Sequence, residues 1–189
     1  MKFNSKSILF YTLLVAVTTF AKLLFAPRLA WSGFSPIIAI ALFSGMMIKD
    51  KSASFLLPLV SLFISDLIIE GLFQLKLFPF QGLYGYQLFN YSLLLISTLV
   101  GWAIKGKNFK SVVTAGFVGT TLFFLLSNFS VWFCSSEEFY THDLAGLVKC
   151  FAAGLPFYSH SLIATYCFLP LILLGYNYLL SNKVSVALA

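Results

Sequence analysis

The stretch Phe55–Phe73, FLLPLVSLFISDLIIEGLF, constrains this chain more than any other. A helix needs about 20 mostly apolar residues to cross a hydrocarbon core, and this run has that length. It also carries Asp66 and Glu70, four residues apart. Residues so spaced share a helix face, and a carboxylate near the middle of a span costs roughly 2.5–3.5 kcal/mol on insertion scales. The two acids therefore face a polar cavity or a basic partner rather than lipid. Ligand contact is one role for them; a purely structural pair with Lys22 or Arg28 is the other, since losing one partner would strand a buried charge.

The rest of the chain extends this frame. With 60% hydrophobic and only 10% charged residues, against roughly 25% charged in ordinary soluble domains, it reads as an all-α integral membrane protein. Residues 1–189 form one domain, with no visible repeat or linker. Six spans are expected: Ser7–Phe25, Phe34–Ile48, Phe55–Phe73, Leu88–Ile104, Val112–Phe133 and Phe157–Leu180. The second is short and rich in small residues (Ala39, Ala41, Ser44, Gly45), which suits the inside of a bundle. Between the third and fourth spans, Pro79, Gly82 and Gly85 break the helix, in a segment suited to capping the outer mouth. Ala145–Leu155 reads as a separate short helix at the membrane interface, and Pro170 predicts a kink in the last span. Met1–Ala21 resembles a signal peptide, but its apolar run continues to Phe25, so a retained first helix is expected. Cys134, Cys150 and Cys167 lack metal spacing; free thiols are the expectation, a Cys134–Cys150 disulfide the alternative.

Orientation follows from the lysines. Lys2, Lys6, Lys49, Lys51, Lys105, Lys107, Lys110 and Lys183 fall on one side of a six-span arrangement; Arg28, Lys76 and Lys149 fall on the other, with Glu137, Glu138 and Asp143. The positive-inside rule places both termini in the cytoplasm. The net charge of +6 thus reads as a topology signal and not as a nucleic-acid footprint.

Depth can then be assigned. Lys22, Asp66, Glu70, Gln87, Asn90, Tyr91, Asn128, Trp132, Tyr158, His160 and Ser161 all fall in the outer half, and the inner half is almost wholly apolar. A channel needs polar groups through the full thickness. A one-sided pocket with aromatic walls (Trp31, Phe80, Tyr84, Tyr86, Trp132, Phe157, Tyr158) suits capture of a small molecule. Candidate substrate-binding residues are Asp66, Glu70, Asn90, Asn128, Trp132 and Tyr158, with His160 a weaker candidate. The acids and aromatics suit a cationic or hydrogen-bond-rich heteroaromatic compound. No catalytic residue, metal or cofactor is expected: HExxH and GxSxG are absent, and the Glu137, Glu138, His142, Asp143 loop reads as solvated. A phosphate-binding GxxxxGK[ST] is absent too, so ATP energy would come from another subunit.

These features resemble the substrate-binding S component of energy-coupling-factor vitamin transporters. FSPIIAIALFSG at Phe34–Gly45, PLVSLFISDLI at Pro58–Ile68, SNFSVW at Ser127–Trp132 and GLVKCFAAGLPFY at Gly146–Tyr158 are similar to a group of uncharacterised bacterial membrane proteins related to those components. The resemblance implies an S-component-like bundle with an outward-facing pocket in the bacterial cytoplasmic (inner) membrane. It also implies capture of a vitamin-like micronutrient and handover to a membrane coupling subunit with two ATPases. The alanine-x-x-x-alanine docking pattern of that class is replaced by Thr12-x-x-x-Ala16, which favours an alternative: a structural or assembly subunit of another membrane complex. A proton- or ion-coupled role for Asp66 and Glu70 would need an inner-half polar path, which the sequence lacks.

Overall fold

The computed structural model describes residues 5–85, 87–106, 108–136 and 138–181. Lys2, Tyr86, Lys107, Glu137 and Lys183, which entered the expectations above, lie outside them. The described residues form α1 (Ser5–Phe25), α2 (Ile37–Met47), α3 (Lys51–Gln74), α4 (Gln87–Ile104), α5 (Phe109–Cys134) and α6 (Leu144–Tyr176). Five of these are long and apolar enough to cross a membrane; α2 is not. At roughly 1.5 Å per residue its 11 residues reach about 16 Å, half a hydrocarbon core.

That short helix is the centre of the bundle. Ile38, Ala39, Ile40, Ala41, Leu42, Phe43, Ser44 and Gly45 are all buried, so α2 has no lipid-facing side. Its small residues let α4 come to backbone contact. A Cβ on Gly45 would lie 2.0 Å from the Thr98 carbonyl oxygen, and one on Gly101 would lie 2.4 Å from that of Leu42. Pro58 inside α3 has no N–H to give to the Ser54 carbonyl. The Ser44 hydroxyl of α2 donates to that freed oxygen instead, tying α2 to α3. Around this core, α1 packs on α3, and α5 pairs with α6 along its length. Ile8, Leu13, Phe63, Phe117 and Phe129 are exposed, as lipid-facing residues are.

The expected break between Ala145–Leu155 and Phe157–Leu180 is absent: both belong to α6, a continuous helix of 33 residues. Pro156 removes a single intrahelical bond, and contacts to α5 on both sides hold the helix together. Gly154 nests against Asn128, and the Tyr158 hydroxyl bonds Thr121 at 2.9 Å. Beyond Tyr176 the last turn widens to π-helical over Asn177–Ser181. The three cysteines are free thiols.

Candidate functional site

Asp66 sits on the buried face of α3, 5% exposed. Its Oδ1 takes the Lys22 ammonium from α1 in an ion pair. Its Oδ2 accepts from Gln87 Nε2 at 2.6 Å and from the Tyr91 hydroxyl, both on α4. One carboxylate thereby joins three helices, and each of its oxygens holds a donor, as a buried charge requires. Of the two basic partners the sequence offers, Lys22 takes the pair.

Glu70, one turn further along α3, does different work. Its Oε2 accepts from the backbone N–H of Gly82 at 3.0 Å and of Leu83 at 3.1 Å, while Oε1 accepts from Gln74 at 2.6 Å. The segment from Leu75 to Gly85 is thereby folded back over the end of α3. Gly82 makes this possible, because a Cβ there would lie 2.0 Å from the Asp66 carbonyl oxygen. The turn out of α3 is a Schellman motif: Lys76 has φ +60°, Lys76 N–H bonds the Phe73 carbonyl at 2.8 Å, and Leu77 N–H bonds that of Leu72 at 2.9 Å. The helix ends there, ahead of the expected breakers Pro79 and Gly82.

Beneath this folded loop lies an open cavity of ≈ 760 Å³. Its polar wall includes Lys22, Asp66, Ser32, Gln81, Asn90 and Ser127, and its aromatic wall Phe78, Phe80, Tyr84, Phe123 and Phe157. The cavity exists because α2 is short: Ile37, its first residue, borders the space, and so do Ser32 and Gly33 from the turn that precedes it. α6 secures that turn. His160 Nδ1 lies 3.0 Å from the Ser32 carbonyl oxygen, and the Ser161 hydroxyl donates to that of Gly33 at 3.0 Å. Gly33 has φ +89°, and a Cβ there would lie 2.7 Å from the Phe157 carbonyl oxygen, so a glycine is required. Trp31 stacks on the His160 ring, 6.0 Å between centroids.

Of the candidate substrate-binding residues, Asp66 and Asn90 line the cavity, and the Asn90 amide donates to the Tyr84 hydroxyl at 3.2 Å; of the expected aromatic walls, Phe80, Tyr84 and Phe157 do so. Glu70 anchors the covering loop without lining the space. Asn128, Trp132 and Tyr158 share the depth but not the direction: Asn128 packs on Gly154 of α6, Tyr158 of α6 meets α5, and Trp132 meets the loop that leads into α6. Asn128 donates to the Phe124 carbonyl at 2.9 Å, Trp132 to the Thr141 carbonyl at 2.9 Å, and Tyr158 packs 4.7 Å from the Phe124 ring. Ser32, Gln81 and Ser127 join the lining without a sequence signal of their own. Ser127 could have been found as the neighbour of Asn128 on α5.

The arrangement can hold a small molecule by apolar and aromatic contact while orienting it with a few hydrogen-bonding groups. No group of three or more potential metal ligands occurs among the described residues. No curated protein and no solved structure matches the chain. A family match does exist, spanning residues 2–187, and by it the chain belongs to the family of unknown function DUF6580.

Proposed function

We propose that this protein is the substrate-binding subunit of an uptake system in the bacterial cytoplasmic membrane, capturing a small vitamin-like micronutrient from the outer side. In this reading the chain passes the membrane six times, α2 making its pass together with the non-helical residues that flank it, and both termini are cytoplasmic. Lys6, Lys49, Lys51, Lys105 and Lys110 gather at the end opposite the cavity, which supports that orientation by the positive-inside rule. A coupling subunit with two ATPases would supply the energy.

The observation that carries the reading is the ≈ 760 Å³ cavity with its charge pair and aromatic walls at one end of an otherwise closed bundle. Ligand sites fall in the range of about 300–1,000 Å³ with the same mix of walls. Thermal-shift measurements on purified protein against a micronutrient panel test it. At least one compound raises the melting temperature, and Asn90→Ala weakens the effect without unfolding the protein. Stabilisation by none of them would remove the reading.

A second reading, an assembly subunit of a larger membrane complex, draws on an apolar groove between α1 and α3 lined by Thr12, Ala16, Thr19, Phe20 and Ile68. Thr12 and Ala16 stand there in place of the paired alanines of the transporter class. Purification from native membranes separates the two: a stoichiometric complex without any ATPase would favour assembly.

A further inference from the structure

Two opposite charges border the cavity, and they are unequally free. Asp66 already accepts three donors, from Lys22, Gln87 and Tyr91. A cation approaching it would meet the Lys22 ammonium at contact and would have to displace one of those donors. Lys22 has three N–H groups and gives one to Asp66; its side chain is 20% exposed against 8% for its partner. The pair therefore offers the cavity donors rather than acceptors.

The start of α2 adds to this. Pro36 at its N-cap gives no side-chain cap, and the Ile37 N–H finds only the Ser35 hydroxyl at 3.4 Å. Ile38 and Ala39 are 4% and 0% exposed, and their N–H groups meet no acceptor among the described residues. A buried helix start without partners calls for an acceptor from outside the helix, and its dipole favours a negative one. Ile37 and Lys22 share the cavity wall.

We propose that the cavity takes a small aromatic carboxylate, its anionic group held by Lys22 Nζ and the first-turn amides of α2, its ring against Phe78, Phe80, Phe123 and Phe157. This rests on the capture reading and names the class of its ligand. It reverses the cationic ligand that the two acids suggest in the sequence, because Asp66 is saturated and Glu70 is occupied by the loop.

Two matched series test the charge preference on the full chain in lipid nanodiscs: indole-3-acetate, indole-3-acetamide and tryptamine, and benzoate, benzamide and benzylamine. Equilibrium dialysis and thermal shift give the affinities. In at least one series the carboxylate binds about tenfold more tightly than its amide and its amine. Lys22→Arg keeps that order. Lys22→Met strands Asp66 and risks the fold, so the charge-free double variant Lys22→Met, Asp66→Asn is the decisive one; in it the preference for the carboxylate disappears. Amides or amines binding as tightly as the acids, or a preference that survives the double variant, would overturn this ligand class while leaving capture standing. Binding by none of the six compounds would likewise overturn this ligand class, while capture itself falls only if the micronutrient panel also gives no stabilisation.

Discussion

At the end of the bundle where α2 finishes, helices meet backbone to backbone; at the end where it starts, they stand around a cavity. Gly45 and Gly101 bring α2 onto α4 with no room for a methyl group, Gly106 abuts Met46, and Lys51 lies 5.4 Å over the Trp102 ring. At the other end Lys22, Asp66, Gln87 and Tyr91 occupy the space between α1, α3 and α4 with polar groups. The same five long helices surround both ends. What differs is whether a sixth element fills the middle, and α2 fills only half of it. The closed end is held by shape, and the open end by charge and hydrogen bonding. Substitutions should therefore fail for different reasons at the two ends.

The largest effect is expected at the open end. Asp66→Ala strands the Lys22 ammonium and removes the acceptor for Gln87 and Tyr91, a loss of about 3–5 kcal/mol, read as a fall in melting temperature. Asp66→Leu with Lys22→Met recovers much of it, since a charge-free pair leaves no stranded ion. A double variant no more stable than Asp66→Ala would show that the pair is not the main bond of that end.

At the closed end the corresponding break is steric. Gly45→Ala drives a methyl group into the Thr98 carbonyl, 2.0 Å away, and costs about 3 kcal/mol through displacement of α4. Gly71→Ala in α3 is the control: nothing lies within 4 Å of its added Cβ, so the change stabilises by roughly 0.5–1 kcal/mol. Equal effects at Gly45 and Gly71 would erase the distinction between a shape-held and a charge-held end.

This contrast explains which parts of the molecule can be read from residues alone. Depth is legible: Asp66, Asn90 and Gln87 do gather at one end, because hydropathy and loop positions set height along a span. Direction around the helix axis is not. A soluble helix reveals its inward face by polar residues on the other, whereas here lipid and core are both apolar, so no stripe gives the phase. Asn128, Trp132 and Tyr158 thus stand at the expected height, yet Asn128 and Tyr158 face the α5–α6 seam and Trp132 faces the loop that leads into α6. Glu70 groups with Asp66 because i and i+4 share a face, but its partners are the amides of Gly82 and Leu83, set by a turn that no spacing reports. Sequence narrows the partner of Asp66 to two basic residues, and the packing of α1 on α3 chooses Lys22. The run through Pro156 reads as two helices because proline marks a possible break, while packing on α5 decides that none occurs.

Smaller effects sharpen the comparison at the helix ends, where the two halves use alike backbones. Lys76 leaves α3 at the open end with φ +60°, and Lys105 leaves α4 at the closed end with φ +56°. A side chain in this left-handed region costs about 1 kcal/mol that glycine avoids. Lys76→Gly and Lys105→Gly should each raise stability by about that amount. A gain at one end only would mean that the lysine itself makes a compensating contact at the other.

The smallest expected effect is a difference in response to acid between two helix starts. α5 begins at the closed end with Asn108, whose side chain accepts from Ser111 N–H at 2.8 Å in a capping box. α6 begins at the open end with Asp143, which accepts from Gly146 N–H at 2.7 Å and from the Thr141 hydroxyl at 2.7 Å. The Gly146 amide, then Thr141, hold the Asp143 carboxyl below its ordinary value. A depressed folded value stabilises above the unfolded one, about 3.9 for aspartate, and that contribution is lost as pH falls through the folded value. Asn108 does not titrate. Hydrogen-exchange protection at Gly146 should therefore fall on acidification while that at Ser111 holds, and Asp143→Asn should make the two ends respond alike. Parallel loss at both amides would trace the change to the bundle as a whole, because only a cap carried by a carboxylate can loosen one helix start and spare the other.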